Sequence, residues 1–306
     1  MKIGYPCINW RIGCKGSRTF RLKSYSEERL TSTVQNNLDC LVRMLQFNAE
    51  NDILFFRITS DLVPFASHPV CQFDWQQFFA EKFQEIGELI RHHNMRISMH
   101  PDQFVLLNPL DNEIFQRSVN ELLYHAEILD LMRLDASAKI QIHLGGVYGD
   151  RAKSMSRFVE RYAETGQSIR RRLVIENDES SYSLSDCLSV SAETSIPVLF
   201  DVFHHETNNH RETIFEAFRA FTKTWKPEDG LPMVDYSSQQ EGKPRGSHAA
   251  SIDPKHFERF LAATRPFDFD IMLEIKDKEA SALQAVKAAS TDRRLHRLHA
   301  PDSRSV

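Results

Sequence analysis

Along the chain, short apolar runs alternate with longer stretches in which apolar residues recur every three or four positions. Eight runs have the length and residue types of strands: Ile3–Cys7, Ile53–Ser60, Arg96–Pro101, Lys139–Gly145, Leu173–Asp178, Val198–His204, Met233–Ser238 and Asp270–Lys276. Between them, helical spacing predicts Asn36–Phe47, Trp75–His92, Ile114–Leu134, Phe158–Ile169, Glu212–Thr224 and Pro254–Ala263. Several runs are continuously apolar, as parallel strands buried on both faces should be. Eight strand–helix units in about 290 residues predict an α/β protein with a single (β/α)8 TIM barrel. The alternative is a doubly wound open sheet, which usually carries phosphate-binding glycines after its first strand. Here that turn is Gly4-Tyr5-Pro6-Cys7-Ile8-Asn9, without a GxGxxG. No repeat or linker divides residues 1–290, and 291–306 reads as a basic, flexible tail.

Composition agrees with a globular core: 41% of the 306 residues are hydrophobic and 21 are Phe. The net charge of −4 lacks the basic excess expected of a protein that grips nucleic acid through lysine and arginine alone. The five cysteines form no CxxC pair and leave an odd one over, which suggests neither a zinc ribbon nor a disulfide framework; reduced thiols in the cytoplasm are expected. The start MKIGYPCINW has no apolar signal core, and no run approaches the 18 or more apolar residues of a membrane span. An exported or membrane-embedded protein is not expected.

In barrel enzymes the C-terminal ends of the strands carry the chemistry. Here those ends bear His100, His143, Glu176, Asp201, His204, Asp235 and Glu274, with His68 and His248 in the loops after strands two and seven. A single histidine on an apolar strand is more often a hydrogen-bonded core residue than a ligand. A ring of imidazoles and carboxylates at one mouth, however, is costly to bury without cations. Nine donors exceed the needs of one zinc, so two or three ions are predicted, with Zn²⁺, Mn²⁺ and Fe²⁺ all compatible with N and O ligands. Closely spaced ions activate water and clamp both oxygens of a phosphodiester, which favours phosphoryl chemistry over two-metal sugar isomerisation.

The motifs at these positions resemble the UV damage endonuclease family, relatives of the endonuclease IV-like barrels. They are GYPCIN at 4–9, LVPFASHP at 62–69, MHPDQFV at 99–105, HLGGVYGD at 143–150, LVIENDE at 173–179, FDVFHH at 200–205, DYSSQ at 235–239, GSHA at 246–249 and MLEIKDKE at 272–279. The resemblance implies a cluster of two or three divalent metals, with manganese preferred and zinc as an alternative. Its ligands would be His68, His100, His143, Glu176, Asp201, His204, Asp235, His248 and Glu274. Where the family often has Lys-x-His on strand seven, with a modified lysine offering oxygen to a metal, this chain has Met233-Val234-Asp235. Asp235 can replace an imidazole, but Met233 cannot supply the oxygens.

The resemblance also assigns lesion and DNA contacts. Gln103 and Phe104 resemble a pair of probing residues, the ring filling the space left by extruded bases; the rival role for Phe104 is packing beneath its own loop. Tyr5 and Asn9 resemble contacts to a flipped dinucleotide, against the rival of a turn with an Asn cap. Lys243 and Arg245, with Arg11, Lys15, Arg18, Arg21 and Lys23 in the first loop, would meet phosphates, unless they are merely solvated. Glu176, Glu274 and Lys276 are the expected catalytic groups, Lys276 stabilising charge on the phosphate unless a carboxylate claims it. The expectation is a monomeric, cytoplasmic DNA repair endonuclease that nicks damaged duplex DNA immediately 5′ of UV photoproducts, with divalent metal and without ATP. The alternatives are a sugar isomerase or epimerase, which predicts a small closed pocket, and a catalytically silent damage-binding protein. Three divalent ions would turn the charge of −4 into about +2.

Overall fold

The computed structural model describes residues 1–298. All eight apolar runs form strands: β1 (Ile3–Pro6), β2 (Phe55–Ile58), β3 (Arg96–Met99), β4 (Lys139–His143), β5 (Leu173–Glu176), β6 (Val198–Asp201), β7 (Met233–Tyr236) and β8 (Asp270–Leu273). They pair in parallel, each with its neighbours in sequence, and β1 closes the barrel against β8. The helices are α1 (Glu27–Glu50), α2 (Trp75–Phe78), α3 (Ala80–His92), α4 (Asn112–Leu131), α5 (Arg151–Glu164), α6 (Gln167–Arg170), α7 (Leu184–Thr194), α8 (Val202–Thr207), α9 (Ile214–Phe221), α10 (Pro254–Ala263) and α11 (Glu279–Ala288). None is long and apolar enough to cross a membrane.

The strand period of two builds the interior in layers. Phe55, Val174, Leu199, Met233 and Met272 form a separate buried apolar cluster. Two residues further along the same five strands stand Arg57, Glu176, Asp201, Asp235 and Glu274. The apolar layer is thus the floor of a polar one, and Met233, fully buried, belongs to the floor. Register places His143 beside Glu176 and Asp201 beside Asp235 on adjacent strands.

Three sequence expectations are corrected. Cys14, in the long first loop, is disulfide-bonded to Cys40 of α1, with Cα atoms 5.8 Å apart; a separation of 26 residues carries no spacing signal, because only the fold brings the pair together. His204 lies on α8 rather than on strand six, since the Asp201 side chain caps that helix by accepting the His204 backbone N–H at 2.6 Å. The expected tail is anchored as far as it is described. The Arg294 guanidinium donates to the carbonyls of Leu261, Thr264 and Phe267, and the His296 N–H donates to the Met1 carbonyl. Residues 299–306 of that tail lie outside the described residues.

Candidate metal centre and nucleic-acid face

Seven of the predicted ligands fall into the three groups whose donor atoms lie within 4.8 Å of one another: His100, His143 and Glu176; Glu176, Asp201 and His204; Asp201, Asp235 and Glu274. Glu176 and Asp201 each belong to two groups, so the three form one chain. Glu176 is 3.7 Å from His100 Nε2, 4.0 Å from His143 Nε2 and 3.5 Å from His204 Nδ1. These separations are long for hydrogen bonds. They suit ligands that each stand about 2.0–2.2 Å from a shared ion.

The surroundings aim the donors. His100 Nδ1 lies 2.7 Å from the Pro101 carbonyl and His248 Nδ1 2.8 Å from that of Glu274, contacts that put the proton on Nδ1 and free Nε2 in each ring. Buried Asn177 exchanges two hydrogen bonds of 3.0 Å with the backbone of Asp201. Arg57 and Gln141 were not singled out from sequence, yet they organise the carboxylates. Arg57 donates to Glu274, to Asp235 at 2.6 Å and to Gln141 at 2.7 Å. Gln141 in turn donates to Glu176 at 2.7 Å and to Asp235 at 2.8 Å. Their signal was present: each is a polar residue inside an apolar strand, in phase with the inward face.

After these bonds, Asp201 Oδ2, Asp235 Oδ1 and His143 Nδ1 remain buried without a hydrogen-bond partner. Burial pushes the Asp201 carboxyl up to about 8, with Glu176 and Glu274 adding to the rise against His204. Burial likewise raises Asp235, opposed by Arg57. At His204 burial works downward, but Asp201 and Glu176 carry the imidazole up to about 11. Asp201, Asp235 and His204 therefore hold their protons more tightly than usual, whereas the neighbouring imidazoles and Arg57 keep Glu176 and Glu274 ionised despite burial. Unpartnered carboxylate oxygens among N and O donors fit divalent cations.

The remaining predicted residues divide. His248 Nδ1 is 3.9 Å from Glu274 Oε2 and borders the mouth, outside the three groups. His68 is exposed, accepts the Val70 N–H through Nδ1 and stands outside the three groups. Lys276 extends from the mouth to Gln240 Oε1 at 2.6 Å and pairs with no carboxylate among the described residues. Lys278 lines the same cavity as Glu274 and His248 and takes a left-handed φ of 53°, a strained conformation of the kind found at functional sites. Gln103 and Phe104 are exposed, Phe104 by 74%. Lys243 and Arg245 are exposed, Arg245 donating to the Thr207 carbonyl. Tyr5 and Asn9 depart from expectation: they are 0% and 1% exposed and offer a DNA base no surface. The Tyr5 hydroxyl bonds Asn48 and Asn9 at 2.8 Å each, while Asn9 Oδ1 accepts the N–H groups of Arg11 and Ile12. Both hold the first loop in shape.

The sequence model of the family described as UV-endonuclease UvdE matches residues 1–300. A protein named UV DNA damage endonuclease from Clostridium perfringens is 37% identical over 290 residues, 94% of this chain and 70% of its own. One of the same name from Bacillus mycoides is 34% identical, over 90% of this chain and 88% of its own. The crystal structure of SacUVDE superposes with a TM-score of 0.91 at 42% identity, over 95% of this chain and 98% of that one. A D-psicose 3-epimerase, at 10% identity and a TM-score of 0.59 over 96% of this chain and 99% of that one, shares the fold alone.

Proposed function

The chain belongs to the UV-endonuclease UvdE family, and on that premise we propose that it repairs DNA by nicking the duplex immediately 5′ of UV photoproducts, through divalent-metal-dependent hydrolysis and without ATP. The photoproducts are pyrimidine dimers and 6-4 products, and the nick leaves a 3′-hydroxyl. The supporting observation is the pair of buried carboxylate oxygens, on Asp201 and Asp235, that no protein group satisfies. Manganese is the preferred metal. Divalent ions held there would supply Lewis acidity and an activated water.

The chain's own residues do the rest. Arg57 and Gln141 keep Asp235, Glu274 and Glu176 oriented, so the carboxylates need not rearrange when a phosphate arrives. Lys276, at the rim beside Glu274 and His248, brings an ammonium to the developing charge. Exposed Phe104 fills the gap left by extruded bases and Gln103 meets the exposed edge of the helix. Lys243 and Arg245, with the cations of the first loop, contact phosphates without reading sequence. The protein acts as a monomer in the cytoplasm.

The test is incubation of the purified protein with a UV-irradiated, end-labelled duplex, with EDTA and with added Mn²⁺. A metal-dependent nick at dipyrimidine sites is expected, with an end that a polymerase can extend. Absence of any such nick overturns the proposal. Tight binding to irradiated duplex without nicking, even with Mn²⁺, would instead favour a silent damage-binding protein. That reading draws its support from Met233, whose apolar side chain stands where relatives offer oxygen.

A further inference from the structure

Tyr5 and Asn9 are sealed inside the first loop, which leaves that loop's outward surface to other residues. Trp10 is 63% exposed, and its indole has no aromatic partner among the described residues. The other two tryptophans are placed differently. Trp75 is 2% exposed, and Trp225 donates its indole N–H to the Val198 carbonyl beneath the Arg96 guanidinium. A bare indole on water-facing backbone forgoes the burial that usually makes tryptophan favourable.

The backbone beneath this indole is fixed at short intervals. Asn9 caps the turn at Arg11 and Ile12. Glu279, the buried first residue of α11, accepts the Trp10 N–H at 3.1 Å, and Arg11 Nε stands 3.9 Å away. Arg43 of α1 donates to the Ile12 carbonyl, Cys14 is bonded to Cys40, and buried Asn37 exchanges hydrogen bonds with both backbone groups of Arg18. A segment with little regular structure is thus held against α1 and α11. It presents one aromatic plane flanked by the exposed cations Arg11, Lys15 and Arg18. Aromatic planes interleaved with cations are the chemistry of base stacking beside a phosphate backbone, and a fixed platform avoids the cost of ordering a loop on binding.

We propose that Trp10 is a DNA contact on which an unstacked base of the bound duplex stacks, a second aromatic station in the loop after β1, as Phe104 is in the loop after β3. The inference rests on the endonuclease reading above. Asn9 and Glu279 are positioning residues for it.

The experiment uses the full chain in EDTA, so that DNA is bound without incision. Fluorescein-labelled duplex, irradiated or not, is titrated by anisotropy while tryptophan emission is followed on unlabelled duplex of the same sequence. Emission is expected to fall as DNA binds, and Trp10→Phe should remove that signal while keeping affinity within about threefold, since a ring remains to stack. Trp10→Ala should weaken binding by about 10-fold or more. Unchanged emission at saturating DNA, or a Trp10→Ala protein that binds as tightly as the wild type, overturns the assignment while leaving the endonuclease reading intact. A wild-type protein that binds neither duplex, in EDTA or with Mn²⁺ restored, overturns both.

Discussion

At the N-terminal end of the barrel, Arg96 pairs with Asp270 at 2.8 Å and Lys139 with Asp229, and Arg172 meets Asp130 and the carbonyls of Leu134, Asp135 and Ala138. At the C-terminal end, four carboxylates, of Glu176, Asp201, Asp235 and Glu274, stand around the guanidinium of Arg57, which pairs with Asp235 and Glu274 alone. Both ends bury charge at similar depth. At the first, each carboxylate oxygen of Asp229 and Asp270 has a donor. At the second, oxygens of Asp201 and Asp235 have none. Buried charge by itself therefore does not mark a site; a deficit of partners does, because burial without a partner is tolerated only where something else supplies the missing charge.

The contrast can be broken at either end. The largest effect is expected from Glu176→Ala, which removes the carboxylate common to two ligand groups and should abolish nicking of irradiated duplex in an end-label assay; a mild loss would deny Glu176 its place. Next, Asp229→Ala should cost about 3–5 kcal/mol in urea unfolding, since it strands buried Lys139, while Mn²⁺ bound per folded chain stays the same. A change in metal uptake there would erase the distinction between the ends. Mn²⁺ at about 100 times its Kd should add about 2.7 kcal/mol to the unfolding free energy, and Asp201→Asn should remove most of that gain. An undiminished gain would mean that the ions bind elsewhere. The smallest effect belongs to Phe104→Ala, which should leave stability within about 0.5 kcal/mol and narrow the preference for irradiated over intact duplex by about 1 kcal/mol.

The strand order and the closed barrel were legible because buried parallel strands read as short, largely apolar runs, and this chain has eight runs of strand length and residue type. Their ends were less so. Val198–His204 continues in apolar and aromatic residues past Asp201, where that residue turns from strand to helix cap, and the pattern does not register the change. Helices α7 and α11 escaped notice because serine and alanine blur their apolar stripes. In the site, the ligand-type residues at strand ends were visible one by one. The inward phase of Arg57 and Gln141 was visible only once the apolar floor of Phe55, Val174, Leu199, Met233 and Met272 fixed which face of each strand is inside. His68 stands outside the three donor groups, and its position is set by a loop whose path the motif does not state.

The bond between Cys14 and Cys40 makes a covalent ring of the first loop and the front half of α1. A protease that cuts the backbone anywhere between them leaves the two pieces attached, so nicked protein would migrate as one species until reductant is added. In the chain-entropy description, closing a ring of this size removes about 3–4 kcal/mol of freedom from the unfolded chain. Reducing agent in a purification buffer is thus a variable of the protein's folding free energy as well as of its thiol chemistry.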